Sequence, residues 1–369
     1  MGKNHLLRKL AIVLVAMILA TTMVACGKSD KDDKETLASE ETGSETKETQ
    51  EETSKETEED ATEETSTEEE GDKLTINIAS LKGPTSMGLV KVMEDSDNGQ
   101  AMYDYEFSIV GTADEISPGI VSGDFDIAAV PANLASVLFN KSNGGVVVAG
   151  INTLGVLYIV ETGEQISSVE DLRGKTIYST GKGTTPEYTL NYLLTASGID
   201  PETDLTIEYK SEATEVAALL SESDDAIAML PQPYVTTVMM NNEKVRVALD
   251  VAKEWEKVDE SGSAVTTGVV IVNKKFFDDN PEVVDNFLEE YSQSVSYVNS
   301  NVDEAANLIE KFDIFKAAVA KKAIPECNIV LITGDEMKAK LEGYLSVLHE
   351  QNPNAVGGQL PTDDFYYTK

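Results

Sequence analysis

The sequence predicts an α/β protein built as two similar lobes facing a cleft. Two observations carry this. Strand-like apolar runs alternate with helical patterns from residue 73 onward, the mark of an α/β domain. A stretch of the chain then repeats itself, without gaps, at a spacing of one hundred residues. The segment before residue 73 shows neither pattern, which leaves a folded body of 297 residues, long enough for two lobes of ordinary size.

Taken in order, residues 74–80 read as a strand and 86–93 as a helix. Residues 107–110 and 126–130 are further strands, and 146–151, 155–160 and 176–179 continue the theme. In the repeat, Lys82-Gly83-Pro84-Thr85 matches Lys182-Gly183-Thr184-Thr185. Asp104, Ala113 and Glu115 match Asp204, Ala213 and Glu215, and Asp124, Ile127, Ala128 and Pro131 match Asp224, Ile227, Ala228 and Pro231. Residues 80–131 and 180–231 thus share 10 identities, and each copy runs strand, loop, helix, strand, helix, short strand, Pro. In open α/β sheets ligands bind beyond the carboxyl ends of the strands. The repeated loops stand at those ends, so two such lobes imply a ligand cleft between them.

Charge is unevenly spread. The chain holds 66 acidic against 29 basic residues, a net of −37. Nucleic acid is excluded as a partner, because its phosphate backbone demands a basic face. Lys3, Arg8 and Lys9 precede an apolar run over residues 10–25, which is too short to span a bilayer and is arranged as a signal peptide. The run ends Met23-Val24-Ala25-Cys26-Gly27, which resembles a bacterial lipobox. The resemblance implies lipidation of Cys26 and anchoring of the chain in the bilayer on the extracytoplasmic face of the cell membrane. Residues 28–72 carry a net of −15 and only Leu37, Ala38 and Ala61 as apolar side chains. Such a segment cannot bury enough surface to offset its ordering entropy, so it is expected to be a disordered tether. At this length it spans roughly 35–40 Å.

The body retains one cysteine, Cys327, and one histidine, His349. That excludes a disulfide framework and leaves little for a metal centre or Cys-His catalysis. Neither cofactor nor metal is expected, and no catalytic residue is assigned.

The lipobox, tether and two α/β lobes together resemble the solute-binding lipoproteins of ABC importers with the type II periplasmic-binding fold. The nearest group is the nitrate/sulfonate/taurine and thiamine-pyrimidine-precursor type. Val169-Glu170-Asp171-Leu172-Arg173-Gly174-Lys175-Thr176-Ile177 carries the resemblance, with Ser122-Gly123-Asp124-Phe125-Asp126-Ile127-Ala128 and Gly268-Val269-Val270-Ile271-Val272. Phe276 and Asn280-Pro281-Glu282 extend it. It implies a hinge of two crossings, near residues 160–165 and 262–268. Lobe 1 is then residues 73–161 and 267–369, and lobe 2 residues 162–266. The tail fits: Val284, Phe287, Leu288, Tyr291, Val295 and Val298 form one helical stripe, and Thr333 with Glu336 forms a capping box ahead of a second helix. The resemblance further implies a monomer that captures a small organic solute and delivers it to an ABC permease. A surface sensor or co-receptor of the same fold is the second reading. A pyrimidine-precursor enzyme is a third, weakened because such enzymes use histidine chemistry.

The candidate ligand residues are those of loops that open helices. Lys182, Gly183, Thr184 and Thr185 combine a flexible approach with hydroxyl donors, and Thr184 to Glu187 has capping-box spacing. Lys82, Gly83, Pro84, Thr85 and Ser86 are the counterpart. Asn133 and Gln232, after Pro131 and Pro231, either read a ligand with their amides or cap a helix; Tyr234 follows Gln232. Thr153, Tyr158 and Thr267 fall near the crossings. Trp255, the only tryptophan, either lids a flat ligand or packs between the lobes, and packing is favoured. The solute is an anion such as a sulfonate or carboxylate, favoured by the helix starts and lysines, or else a neutral heteroaromatic.

Overall fold

The structure is a computed structural model that describes residues 73–368. The expectations for the signal peptide, Cys26 and the acidic tether lie outside the described residues.

The chain first lays down β1 (Thr75–Leu81), the short α1 (Pro84–Met87), α2 (Val90–Asp97), β2 (Asp104–Val110), α3 (Ala113–Ser122), β3 (Ile127–Pro131), α4 (Ala132–Lys141) and β4 (Val146–Leu154). Next come β5 (Leu157–Glu161), β6 (Thr176–Thr180), α5 (Thr185–Ala196), β7 (Thr206–Lys210), α6 (Ala213–Glu222), β8 (Ile227–Pro231), α7 (Tyr234–Asn241), β9 (Arg246–Asp250) and α8 (Val251–Val258). It closes with β10 (Thr266–Asn273), α9 (Lys274–Asp279), α10 (Pro281–Ser300), α11 (Val302–Lys311), α12 (Ala317–Ala323), β11 (Ile329–Ile332) and α13 (Gly334–Gln351).

Two sheets result, ordered β11-β4-β10-β3-β1-β2 and β7-β6-β8-β5-β9. In each, the repeated strands pair in parallel, β1 with β2 and β3, and β6 with β7 and β8. An antiparallel strand then flanks the third: β10 beside β3, and β5 beside β8. Helices cover both faces, so central strands such as β4 and β5 are apolar almost without alternation. The first sheet packs α2, α10, α11 and α12 on one face and α3, α4 and α13 on the other. On α10, the predicted stripe is buried at Val284, Phe287, Tyr291, Val295 and Val298. Each such side chain contributes roughly 1.5–3 kcal/mol.

The repeat is visible in three dimensions, with one adjustment. Ala79 stands opposite Ala128 on the paired strands, but Tyr178, not Ser179, stands opposite Ala228. The first strand of the second copy is therefore displaced by one residue from the gapless alignment. A one-residue offset exchanges the two faces of a strand, so Ile177, not Tyr178, is the core equivalent of Ile78. The slack is taken up in the following loop: two residues, Lys82 and Gly83, separate β1 from α1, whereas four, Gly181 to Thr184, separate β6 from α5.

Three further expectations are corrected. Residues 157–161, assigned to the first lobe, pair with β8 and β9, so the chain leaves the first sheet after Leu154, ahead of the expected crossing. The helix expected over residues 86–93 is broken at Gly88 and Leu89. There Ser294 of α10 donates to the Gly88 carbonyl at 2.6 Å and accepts from the Lys91 amide at 3.2 Å. Thr333 does stand at the start of α13, but its side chain makes no cap bond and the box with Glu336 is not formed.

Candidate functional site

The carboxyl ends of β1, β3, β6 and β8 converge on a cavity of about 490 Å³ between the two sheets. From the first come Leu81 to Thr85, Ala113, Asp114, Pro131, Asn133, Leu134, Thr267 and Phe315; from the second, Leu157, Thr184 to Pro186 and Pro231 to Tyr234, with Val156 on the passage. The walls are mostly apolar, with a few polar groups at the helix starts. Tyr234 and Phe315 face each other across the cleft edge-to-face, ring centres 5.9 Å apart.

Ten of the sixteen predicted ligand residues line this cavity: Lys82, Gly83, Pro84, Thr85, Asn133, Thr184, Thr185, Gln232, Tyr234 and Thr267. Sequence reasoning did not single out Asp114, Leu134 or Phe315. Asp114 lies between the repeat-matched Ala113 and Glu115, a signal that was available; Phe315 belongs to no motif.

The other six stand elsewhere. Ser86 is buried and its hydroxyl caps the Gly83 amide at 3.2 Å. Thr153 is buried within the first sheet, on β4 opposite Gly268 of β10. Tyr158 donates to the Glu326 carbonyl at 2.9 Å and faces a second cavity, also about 490 Å³, that shares Gln232 with the first. Burial, then the charges of Asp250 and Glu326, push its phenol well up. Lys182 points out of the cleft, its ammonium 5.9 Å from the Tyr209 ring centre. Gly183 gives its amide to the Glu187 carboxylate. Trp255 is fully buried, its indole 4.2 Å from the Tyr192 ring and 5.5 Å from Tyr344, and it donates to Ser263 Oγ at 3.1 Å. It packs between the second sheet's helices and α13, and does not lid the cleft.

The polar groups of the cleft are largely engaged. Thr85 donates its hydroxyl proton to the Leu81 carbonyl at 2.9 Å, and Thr184 donates to the Gly181 carbonyl at 2.6 Å. Thr185 donates to Asn133 Oδ1 at 2.9 Å, while Asn133 Nδ2 donates to the Ala355 carbonyl at 3.3 Å. Gln232 accepts from Thr236 through its oxygen, leaving Nε2 without a partner among the described residues. Lys82 is 3.4 Å from Asp313. The capping box between Thr184 and Glu187 is replaced by the Glu187 bond to Gly183, because Gly181 and Gly183 both adopt φ of 75° and turn the loop under the carboxylate. Cys327 is buried and desolvation, reinforced by Glu326, pushes its thiol up, so it is no thiolate nucleophile. Among the described residues no cluster of His, Cys, Asp and Glu is arranged to hold a metal ion.

A two-lobed type II periplasmic-binding-protein fold is what the two sheets define. The family model described as NMT1/THI5 like matches residues 134–305. An ABC transporter protein from Parabacteroides distasonis superposes with a TM-score of 0.68 at 22% identity, covering 80% of this chain and 99% of that one. The periplasmic aliphatic sulphonate binding protein SsuA from Escherichia coli gives 0.64 at 15%, covering 80% and 92%. A ligand-binding component of an ABC-type import system from Staphylococcus aureus gives 0.61 at 14%, covering 80% and 96%. No curated protein matches the sequence. The family match and these neighbours are of the type the sequence resembled.

Proposed function

We propose that the protein is the solute-binding lipoprotein of an ABC importer, held to the extracytoplasmic face of the cell membrane through Cys26 and the acidic tether. It captures a small organic solute between its lobes and hands it to a membrane permease. It acts by binding and not by catalysis. The lobes correspond to the two sheets, with the passages after Leu154 and before Thr266 as the hinge. Contact with the solute is assigned to the ten predicted residues that line the cavity, with Asp114 and Phe315 added.

The observation that carries this reading is the cavity itself, walled by the strand ends of both sheets and crossed by the Thr185–Asn133 hydrogen bond. A solute held between two lobes stabilises the arrangement that encloses it. The test is a thermal-shift screen of the purified full chain against anionic and neutral organic solutes. A solute at 100 times its dissociation constant adds about 2.7 kcal/mol. Thr267→Trp, which fills the cavity floor, is expected to abolish the shift. If no solute class shifts the wild type, or Thr267→Trp leaves a shift intact, the assignment of the cleft fails.

A further inference from the structure

The second cavity, of about 490 Å³, lies beside the solute cleft and has only Gln232 in common with its lining. Its wall on the second sheet's side is apolar where it meets solvent. Met239 and Met240 lie in the last turn of α7, and Val247 stands on β9. Seven large apolar side chains are exposed among the described residues, and these are three of them. Isolated exposed apolar groups are ordinary, but three gathered on one cavity wall mark a surface that a ligand covers. Methionine side chains adapt readily to the shape of such a ligand.

The opposite wall comes from α12 and the turn after it, which contribute Lys322 and Glu326. Neither charge is matched by a neighbour: both side chains are without an ion pair among the described residues. Tyr158 has one hydroxyl proton and gives it to the Glu326 carbonyl at 2.9 Å. The Glu326 carboxylate stands farther from that hydroxyl, at 3.4 Å, so its lone pairs stay open. The other two charges of the cavity cancel. Lys253 pairs with Asp250 at 2.9 Å, and Asp250 also accepts from the Ala252 and Lys253 amides at the start of α8.

We propose that this second cavity binds a free α-amino acid with an apolar side chain, at a site separate from the solute cleft. The cavity leaves one cation and one anion open opposite an apolar surface, and such an amino acid is the complement of all three. Its carboxylate goes to Lys322, its ammonium to Glu326, and its side chain lies against Met239, Met240 and Val247. A simple carboxylate or a simple amine matches one charge and leaves the other partly desolvated without a partner, which lowers its affinity. Gln232 adds a neutral donor at the boundary with the cleft. Its side chain is 4% exposed, and its Nε2 has no partner among the described residues. An amino acid held here ties α7 and β9 of the second sheet's side to α12 of the first.

The experiment sets L-leucine against three analogues on the full chain, with saturation-transfer NMR to detect binding and titration to give affinity ratios. Leucinamide lacks the carboxylate, 4-methylpentanoate lacks the ammonium, and glycine lacks the apolar side chain. Leucine is expected to bind about tenfold tighter than each, the scale of one hydrogen bond to a charged group or of a small buried side chain. Lys322→Ala should bring leucine level with leucinamide, and Glu326→Gln should bring it level with 4-methylpentanoate. Both side chains are exposed, so the melting temperature without ligand should not move. A purely structural role would weaken every ligand alike and leave the ratios where they were. Thr267→Trp, which fills the solute cleft, should leave leucine binding unchanged. The proposal is overturned if leucine does not bind the wild type, if either single-charge analogue binds as tightly, or if neither charge variant moves its ratio. It is overturned equally if Thr267→Trp abolishes leucine binding, which would place the amino acid in the cleft. The cleft reading is tested apart from this: a shift by an anionic or uncharged solute that Thr267→Trp removes supports it, however leucine behaves.

Discussion

The Thr185 hydroxyl donates to Asn133 Oδ1 at 2.9 Å, joining the helix that follows β6 to the helix that follows β3. Each residue opens a helix on its own sheet, and the bond passes directly from one sheet's helices to the other's across the mouth of the cavity. Asn133 is held from behind by the Ala355 carbonyl, so its oxygen is already aimed when the lobes meet.

Thr185→Val should therefore weaken solute binding without unfolding the protein. Valine keeps the shape and loses the bond, which at a net 0.5–1.5 kcal/mol corresponds to about a three- to tenfold loss of affinity. Isothermal titration would show it, and the melting temperature without solute should move by no more than about 2 °C. A large fall in that melting temperature would mean that Thr185 serves the fold and not closure.

Gly268 is the tightest point of the cleft floor. A Cβ there would meet Asn152 Oδ1 and Thr85 Cγ2, each at 2.5 Å, and both residues are buried. Neither is the free end of a long side chain, so backbone must shift. Gly268→Ala is expected to cost about 1–3 kcal/mol, as overpacking does. Because Thr85 is the neighbour displaced, solute affinity should fall beyond what the lost stability explains. Urea unfolding and titration on the same preparation separate the two effects.

Much of this arrangement was legible in the sequence, and the exceptions have physical causes. The repeated strands, the loops that open helices and the stripe on α10 follow from local periodicity and turn chemistry. The passage between sheets was misplaced because β4 and β5 are both continuously buried. Nothing local tells two such strands which sheet each will join. Phe315 reaches the cleft only because the turn between α11 and α12 brings it beside Tyr234, a tertiary result with no sequence period. Glu187 was read correctly as an amide acceptor, but the glycine-rich loop gave it the Gly183 amide in place of that of Thr184.

Acid should act on the second passage between the sheets through Asp259. Burial alone would raise its carboxyl, but hydrogen bonds from Ser261 and Ser263 outweigh burial and hold it below the ordinary range. A carboxyl depressed in the folded state contributes stability that is present above its unfolded value, about 3.9, and lost as pH falls through the folded value. Asp259→Asn should thus melt below the wild type at pH 7, and the gap should close as pH drops below about 4. A gap that stays constant from pH 7 to pH 3 would show that the carboxylate's charge contributes nothing there.

Trp255 gives a direct reading of how the lobes move. Its indole is fully buried, sandwiched between Tyr192 of α5 and Tyr344 of α13, and α5 also bonds α13 through Thr189 and Tyr344 at 2.9 Å. Three aromatic rings packed in this way resist separation, since opening them would expose a large apolar area to water. The contact is therefore expected to stay closed when a solute enters or leaves the cleft. As the only tryptophan, Trp255 is expected to emit at short wavelength and to resist iodide quenching, both with and without solute. Trp255→Ala should cost about 3–5 kcal/mol, because the surrounding rings cannot collapse into the space. Emission that shifts to longer wavelength when solute is removed would place the moving interface here and the fixed one on the opposite side of the cleft, at Tyr158 and Glu326.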